Sequence, residues 1–295
     1  MKKKWNRYDI CFLLLAVAIL IVQFWKAHIG MGFDDEWFYT TLGHRLTKGD
    51  ALFYDDWHIA QMISVFIAPF VRFYISMNHS TEGILLFFRI LYAILQTLMG
   101  TMLYIRFRRY RGFAVIASIL FVLMTPFNVM ALAYNTMGIW FMLGSLLVFS
   151  IELKNKRNCV FEYVAGLLYA CAVLNTPYLV FLFFIYTILV ILWHKTKESF
   201  GLKKYWSVFA GCGTAAIVFI VFVLSRSSVA EVLAGLPHFI DPSHSTNIFY
   251  LFLVDGYKIL QMYGIWMILL AIILLVVLVD KERLKRTRVY FSLSI

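Results

Sequence analysis

Three consecutive carboxylates, Asp34, Asp35 and Glu36, sit among aromatic residues in Gly32-Phe33-Asp34-Asp35-Glu36-Trp37-Phe38-Tyr39, directly after a long apolar run. A carboxylate at a membrane surface loses part of its hydration. That raises its affinity for protons, so it suits proton abstraction from a hydroxyl or the binding of a cation. The plainer reading is a hydrated acidic loop. A second polar cluster follows in Asp55, Asp56 and His58. Basic groups able to hold a phosphate are Arg72, Arg89, Arg226 and Lys258. For Arg72 and Lys258 the plainer role is snorkelling to lipid headgroups. Arg89 lies inside an apolar run, where an arginine faces a cavity or a partner. His238, Asp241 and His244 bracket Pro242 in a loop that gives their three-residue spacing no fixed face, which favours a solvated or substrate-rim loop over a metal site.

The elements that must position these groups follow from composition. The chain has 295 residues, of which 62% are hydrophobic and 15% charged, with a mean hydropathy of +0.80. Soluble domains are about half apolar and a quarter charged, so these values point to lipid as the solvent and exclude a cytosolic enzyme, a disordered chain and a disulfide-stapled module. Apolar stretches of spanning or nearly spanning length run over 8–25, 84–105, 112–127, 137–151, 161–174, 178–193, 206–224 and 259–279. A further apolar segment, 62–77, is broken by Pro69 and Arg72 and suits an interfacial helix. Met1-Lys2-Lys3-Lys4 ahead of the first run reads as a retained signal anchor. Cys11, Cys159, Cys171 and Cys212 lie in or beside apolar runs and read as small hydrophobes.

Charge sets the expected topology. With 62–77 at the interface, most of the 27 Lys and Arg residues collect on one side, which the positive-inside rule makes cytoplasmic. If 62–77 crosses, the basic clusters fall on both sides. The net charge of +11 is then a set of topology anchors, and no nucleic-acid partner is expected. Most acids and every histidine but His194 fall outside. The expected fold is all-α: a polytopic transmembrane bundle of about eight spans forming one membrane domain over 1–295. Both termini are cytoplasmic, the outer loops 26–80 and 225–257 are long, interfacial helices lie in the first of them, and there is no soluble domain.

Within the first outer loop, helical periodicity runs from Phe38 to Lys48 and stops at Gly49. Asp50-Ala51-Leu52-Phe53-Tyr54-Asp55-Asp56-Trp57-His58, the Pro69 segment and the span carrying Arg89 follow. This order resembles the first outer loop of the GT-C superfamily of polytopic glycosyltransferases, most closely the bacterial protein-mannosyltransferase and aminoarabinose-transferase-like branch (family 39-like). Phe33-Asp34-Asp35-Glu36 stands where that branch has Phe-Asp-Glu, Phe53-Tyr54-Asp55 where it has Leu-Tyr-x-Asp, and Tyr134-Asn135-Thr136 opens a span where relatives carry Asp or Asn. The resemblance covers about the first two-thirds of the chain.

It implies a transferase that moves a sugar from a polyprenyl-phosphate donor to a lipid, glycan or protein acceptor on the outer face of a bacterial cell membrane. Asp35 is the first candidate for general base and Asp34 the second. Glu36 either orients the acceptor or is solvated. Asp55, Asp56, His58, Arg89, Asn135, Arg226 and His238 are candidate substrate contacts. Some GT-C enzymes use a divalent cation and the branch resembled here generally does not, so no metal or other cofactor is assigned. Trp37, Trp57 and Tyr39 are available as a sugar platform or lipid-tail groove, with interfacial packing as the plainer role. Relatives are usually longer, and the ending Val289 to Ile295 reads as the start of a further span, which suggests a truncated or minimal member. The rivals are a flippase or transporter of lipid-linked sugars, which would carry interrupted helices and ionisable groups deep in its spans, and a non-catalytic assembly protein in which the acidic triplet is dispensable.

Overall fold

The computed structural model describes residues 5–30, 35–56, 58, 60–126, 129–152, 159–194 and 202–235. These belong to one compact unit, Met1–Ala234; the second unit, Gly235–Ile295, lies beyond Gly235 outside the described residues. The described elements are helices, with no strand among them: α1 (Arg7–Ala27), α2 (Asp35–Lys48), α3 (Ser64–Asn78), α4 (Ile84–Phe107), α5 (Gly112–Leu123), α6 (Tyr134–Glu152), α7 (Cys159–Asn175), α8 (Val180–His194), α9 (Leu202–Leu224) and α10 (Val229–Gly235). Three helical stretches, Arg7–Ala27, Ile84–Tyr110 and Tyr205–Leu224, are long and apolar enough to cross a membrane. Shorter apolar stretches of helix lie in α5, α6, α7 and α8. Outward-facing Leu14, Ile21 and Val22 on α1 and Ile217, Val218 and Val221 on α9 give these helices apolar outer faces suited to lipid.

Each end of the α1–α4 pair is fixed by an acid and an arginine. At the start of α1, the Asn6 side chain accepts from the Tyr8 and Asp9 backbone N–H groups, and Asp9 accepts from the Asn6 N–H, a reciprocal cap. The same Asp9 carboxylate accepts from Arg108 Nε and from the Tyr104 hydroxyl, both at 2.6 Å, tying α1 to the last turns of α4. At the other end of the pair, Arg89 of α4 binds Glu36 and the carbonyls that finish α1.

Only the first 12 residues expected of the third span are helical in α5, a length of about 18 Å at 1.5 Å per residue. Its terminal carbonyls are met by side chains of neighbouring helices. Gln23 donates to Val122, Gln96 to Phe121 and Met124, and the Tyr92 hydroxyl to Met124. The following residues 129–133 are non-helical and buried.

Helices α6, α7 and α9 pack side by side. At the α7–α9 crossing a Cβ on Gly166 would run into the Val208 carbonyl, and one on Gly211 into that of Tyr163, so the two backbones touch. The largest core cluster gathers Tyr39 and Leu42 of α2, Ile67 and Val71 of α3, Phe88 and Tyr92 of α4, Met130 and Leu132 of the buried segment and Trp140 of α6. Gly43 faces Ile67 so closely that a Cβ there would strike its side chain, which sets the approach of α2 to α3.

Candidate functional site

Helix α2 begins three residues earlier than the periodicity from Phe38 indicates, so Asp35 and Glu36 occupy its first turn. Acidic residues are favoured there because they face the unpaired N–H groups and the positive end of the helix dipole. Helical periodicity then sends the two carboxylates in different directions. Asp35 is exposed, whereas Glu36 is 6% exposed.

Glu36 is fully engaged. Its Oε2 accepts from Arg89 Nε at 2.7 Å and lies 2.5 Å from Arg89 Nη2, while Oε1 accepts from the Met130 N–H at 3.1 Å. Arg89 Nη1 donates to the carbonyls of Ala27 at 3.0 Å and Gly30 at 2.6 Å. All three guanidinium nitrogens are therefore committed. One ion pair joins the end of α1, the start of α2, α4 and the buried segment 129–133. The structure thus places Arg89, expected to contact substrate, and Glu36, expected to orient the acceptor or to be solvated, in an internal clasp that fixes where α2 begins.

One turn after Asp35, Tyr39 is buried, with its ring centroid 6.0 Å from that of Tyr134 at the start of α6. Burial, and after it the charge of Asp35 and the neighbouring Tyr134, push the Tyr39 phenol above its ordinary value. Asn135 follows Tyr134 and is half-buried. The ring of exposed His58 lies 4.8 Å from that of Phe38, and its Nδ1 accepts from the Ala60 N–H at 3.1 Å, a geometry that needs that nitrogen unprotonated. Asp35 and Tyr39 thus lie one turn apart at the start of α2, with Tyr134 packed near the Tyr39 ring and His58 against Phe38.

Other expected residues go elsewhere. Arg45 donates to Asp50 at 2.6 Å, to Asp56 at 2.7 Å and to the Asp55 carbonyl at 2.8 Å. Burial opposes the charge of Arg45, but the Asp50 hydrogen bond and the nearby carboxylates outweigh it and hold its pKa above the ordinary value. Asp55 accepts from the Ala51 N–H and Asp56 from the His58 N–H, so these carboxylates shape their own loop. Phe53 has φ +66°, and its N–H donates to Gln61 Oε1 at 2.7 Å. Arg226 Nη1 donates to the carbonyls of Leu46 at 2.9 Å and Asp50 at 3.3 Å. Leu46 is 11 residues along α2 from Asp35, about 16 Å at the helical rise, so Asp56 and Arg226 serve the opposite end of the helix. Arg72 is exposed on α3. Asp34, Trp57, His238, Asp241, His244 and Lys258 lie outside the described residues. Among the described residues no group of three His, Cys, Asp or Glu side chains is placed to hold a metal ion.

The sequence pattern assigns no role to Gln61, Thr136 or Asn175. All three are buried, and Gln61 Nε2, Thr136 Oγ1 and Asn175 Oδ1 find no partner among the described residues. The sequence does mark them, since each is a polar residue in or beside an apolar run, where such residues have a partner or a purpose.

No protein-family model matches the chain, and no curated protein or solved structure matches it either.

Proposed function

We propose that the protein is a membrane glycosyltransferase that moves a sugar from a polyprenyl-phosphate donor to a hydroxyl of a lipid, glycan or protein acceptor. The observation that carries this reading is the division of labour in the acidic motif. Glu36 is spent on Arg89, while Asp35, the next residue back, stays exposed one turn before Tyr39, which packs near Tyr134. The buried pair holds the first turn of α2 rigidly and so fixes the position of Asp35.

In this mechanism the Asp35 carboxylate takes the proton of the acceptor hydroxyl as its oxygen attacks the anomeric carbon. The bond from that carbon to the donor phosphate breaks, and polyprenyl phosphate leaves with the electron pair. The phenol of Tyr39, one turn along α2, is buried and held neutral, and the Asp35 charge contributes to that. His58 and Asn135 border the acceptor, and Asp34 is the alternative base. The chain is arranged as about eight spans with α2 and α3 at the outer interface and both termini cytoplasmic. The phosphate is held by a cation other than Arg89, whose donors serve the clasp.

Asp35→Asn tests the mechanism. It should abolish transfer from a polyprenyl-phosphate sugar in isolated membranes while expression and insertion stay unchanged, since the side chain is exposed. Full transfer by this variant would sink the assignment.

Two observations favour a carrier of lipid-linked sugars as the second reading. Helix α5 stops short, and Glu162 is 1% exposed within the apolar helix α7. Flux of a lipid-linked sugar across proteoliposomes, lost in Glu162→Gln and kept in Asp35→Asn, would establish that reading instead.

A further inference from the structure

On the flank of α2 turned away from Asp35 lies a groove of about 530 Å³. Its walls are Trp37, Thr40, Thr41 and His44 of α2, with Thr81, Gly83, Ile84 and Leu85 from the turn before α4 and its first residues. Trp37, Thr41 and His44 are spaced i, i+4 and i+7, so they form one stripe, while Tyr39, Gly43 and Leu46 bury the opposite side of the helix. The volume falls in the range of small-molecule sites.

The chemistry of the walls is specific. The Trp37 indole is 44% exposed, a large aromatic face left uncovered. Around it stand three threonine hydroxyls and one imidazole. The Thr40 hydroxyl gives its proton to the Glu36 carbonyl at 3.0 Å, which leaves its oxygen as an acceptor. None of the lining residues is Asp, Glu, Lys or Arg. A neutral groove with one aromatic wall and several hydroxyl-scale donors and acceptors matches a ligand that has an apolar C–H face and a rim of hydroxyl groups. A phosphate or an amine would call for opposite charge, and a bare acyl chain would leave the threonines and His44 unsatisfied. We infer that this groove binds a saccharide, with a pyranose ring stacked on Trp37 and its hydroxyls bonded to Thr40, Thr41, Thr81 and His44.

By helical periodicity the groove lies about 200° around α2 from Asp35, so it is a site separate from the proposed base. It goes beyond the catalytic reading by adding a hold on glycan, and it stands or falls independently of that reading. A sugar reaches it either on a free glycan or as a glycolipid headgroup.

The test uses the full chain in phosphatidylcholine nanodiscs and saturation-transfer NMR with maltose, cellobiose, lactose and chitobiose as probes. At least one disaccharide should receive saturation on its ring protons. Trp37→Ala should weaken that signal about fivefold or more, the loss of one stacking contact, with Trp37→Phe recovering part of it. His44→Ala should weaken it too. Asp35→Asn should leave it unchanged, which separates this site from the catalytic one. Nanodiscs doped with glucosyl- or galactosyl-diacylglycerol identify the source, because a headgroup ligand suppresses the disaccharide signal and a free glycan site leaves it intact. Absence of transfer to all four probes in undoped discs would overturn the proposal. So would an undiminished signal in Trp37→Ala, which would make Trp37 an interfacial anchor.

Discussion

Arg89 and Glu36 meet at 2.5 Å with side chains only 10% and 7% exposed, and through them four segments of the chain share one ion pair. Breaking such a pair leaves an uncompensated buried charge, which typically costs about 3–5 kcal/mol, more than the intact pair contributes over an apolar replacement. Arg89→Ala should therefore sharply lower the thermal unfolding midpoint in detergent and the yield of monodisperse protein. The double variant Glu36→Leu with Arg89→Met should recover much of that loss. If Arg89→Ala alone is as stable as the parent, the clasp has no structural role.

Tyr39 predicts a response to alkali. Its folded pKa is raised above the ordinary value of 10.0, by burial first and by Asp35 next, so folding favours the neutral phenol. The corresponding stability is complete below about pH 10 and is lost as pH rises through the folded pKa. Tyr39→Phe removes that dependence. Its unfolding midpoint should fall less steeply than the parent's on the alkaline side, measured by near-ultraviolet circular dichroism; parallel curves would refute the assignment.

Glu231 behaves in the opposite sense. Its carboxylate accepts from the Ser228 N–H at 2.7 Å, and the Ser228 hydroxyl accepts from the Glu231 N–H at 3.2 Å, a capping box at the start of α10. The Ser228 bonds lower its pKa below the ordinary 4.5, so the cap is intact above that value and is lost as pH falls through the folded one. Amide exchange in α10 should quicken relative to α9 on acidification, after correction for the intrinsic rate. Ser228→Ala should exchange fast at neutral pH as well.

At Gly211 a methyl group would meet backbone rather than a yielding side chain. Gly211→Ala should therefore force α7 and α9 apart, lowering the unfolding midpoint by the equivalent of about 1–3 kcal/mol. Gly213→Ala, with open space around its Cβ, is the control and should be neutral or slightly stabilising.

Much of the helical framework is legible in the sequence because long apolar runs carry their own boundaries. The run expected over 84–105 is α4 to within two residues, and α1 extends its run by one residue at the start and two at the end. The end of α5 is marked in the sequence by Pro126, two residues past the C-cap Met124, although the apolar run continues to Phe127. What the sequence does not reveal is that Gln23, Gln96 and Tyr92, distant along the chain, donate to its last carbonyls. At the candidate site, residue types alone select Asp35, Glu36 and Arg89 as special. They cannot say that two of these neutralise each other, since Glu36 and Arg89 are 53 residues apart and meet only through the fold. Likewise, Asp55 and Asp56 look available for chemistry until the fold brings Arg45 against the Asp56 carboxylate and the Ala51 N–H against that of Asp55.

The two acid–arginine ties, one near the start of α4 and one at its C-cap Arg108, also act as a gauge. Arg89 and Arg108 are 19 residues apart, about 28 Å along a helix, close to the roughly 30 Å hydrocarbon thickness of an ordinary bilayer. For a chain embedded as proposed, each tie then lies near one lipid–water boundary, and the pair sets the membrane thickness that this helix couple matches without strain. A thinner or thicker bilayer would be accommodated by tilting α1 and α4 together rather than by sliding one along the other. Asp35 would then change its depth with the couple while keeping its distance from Arg89.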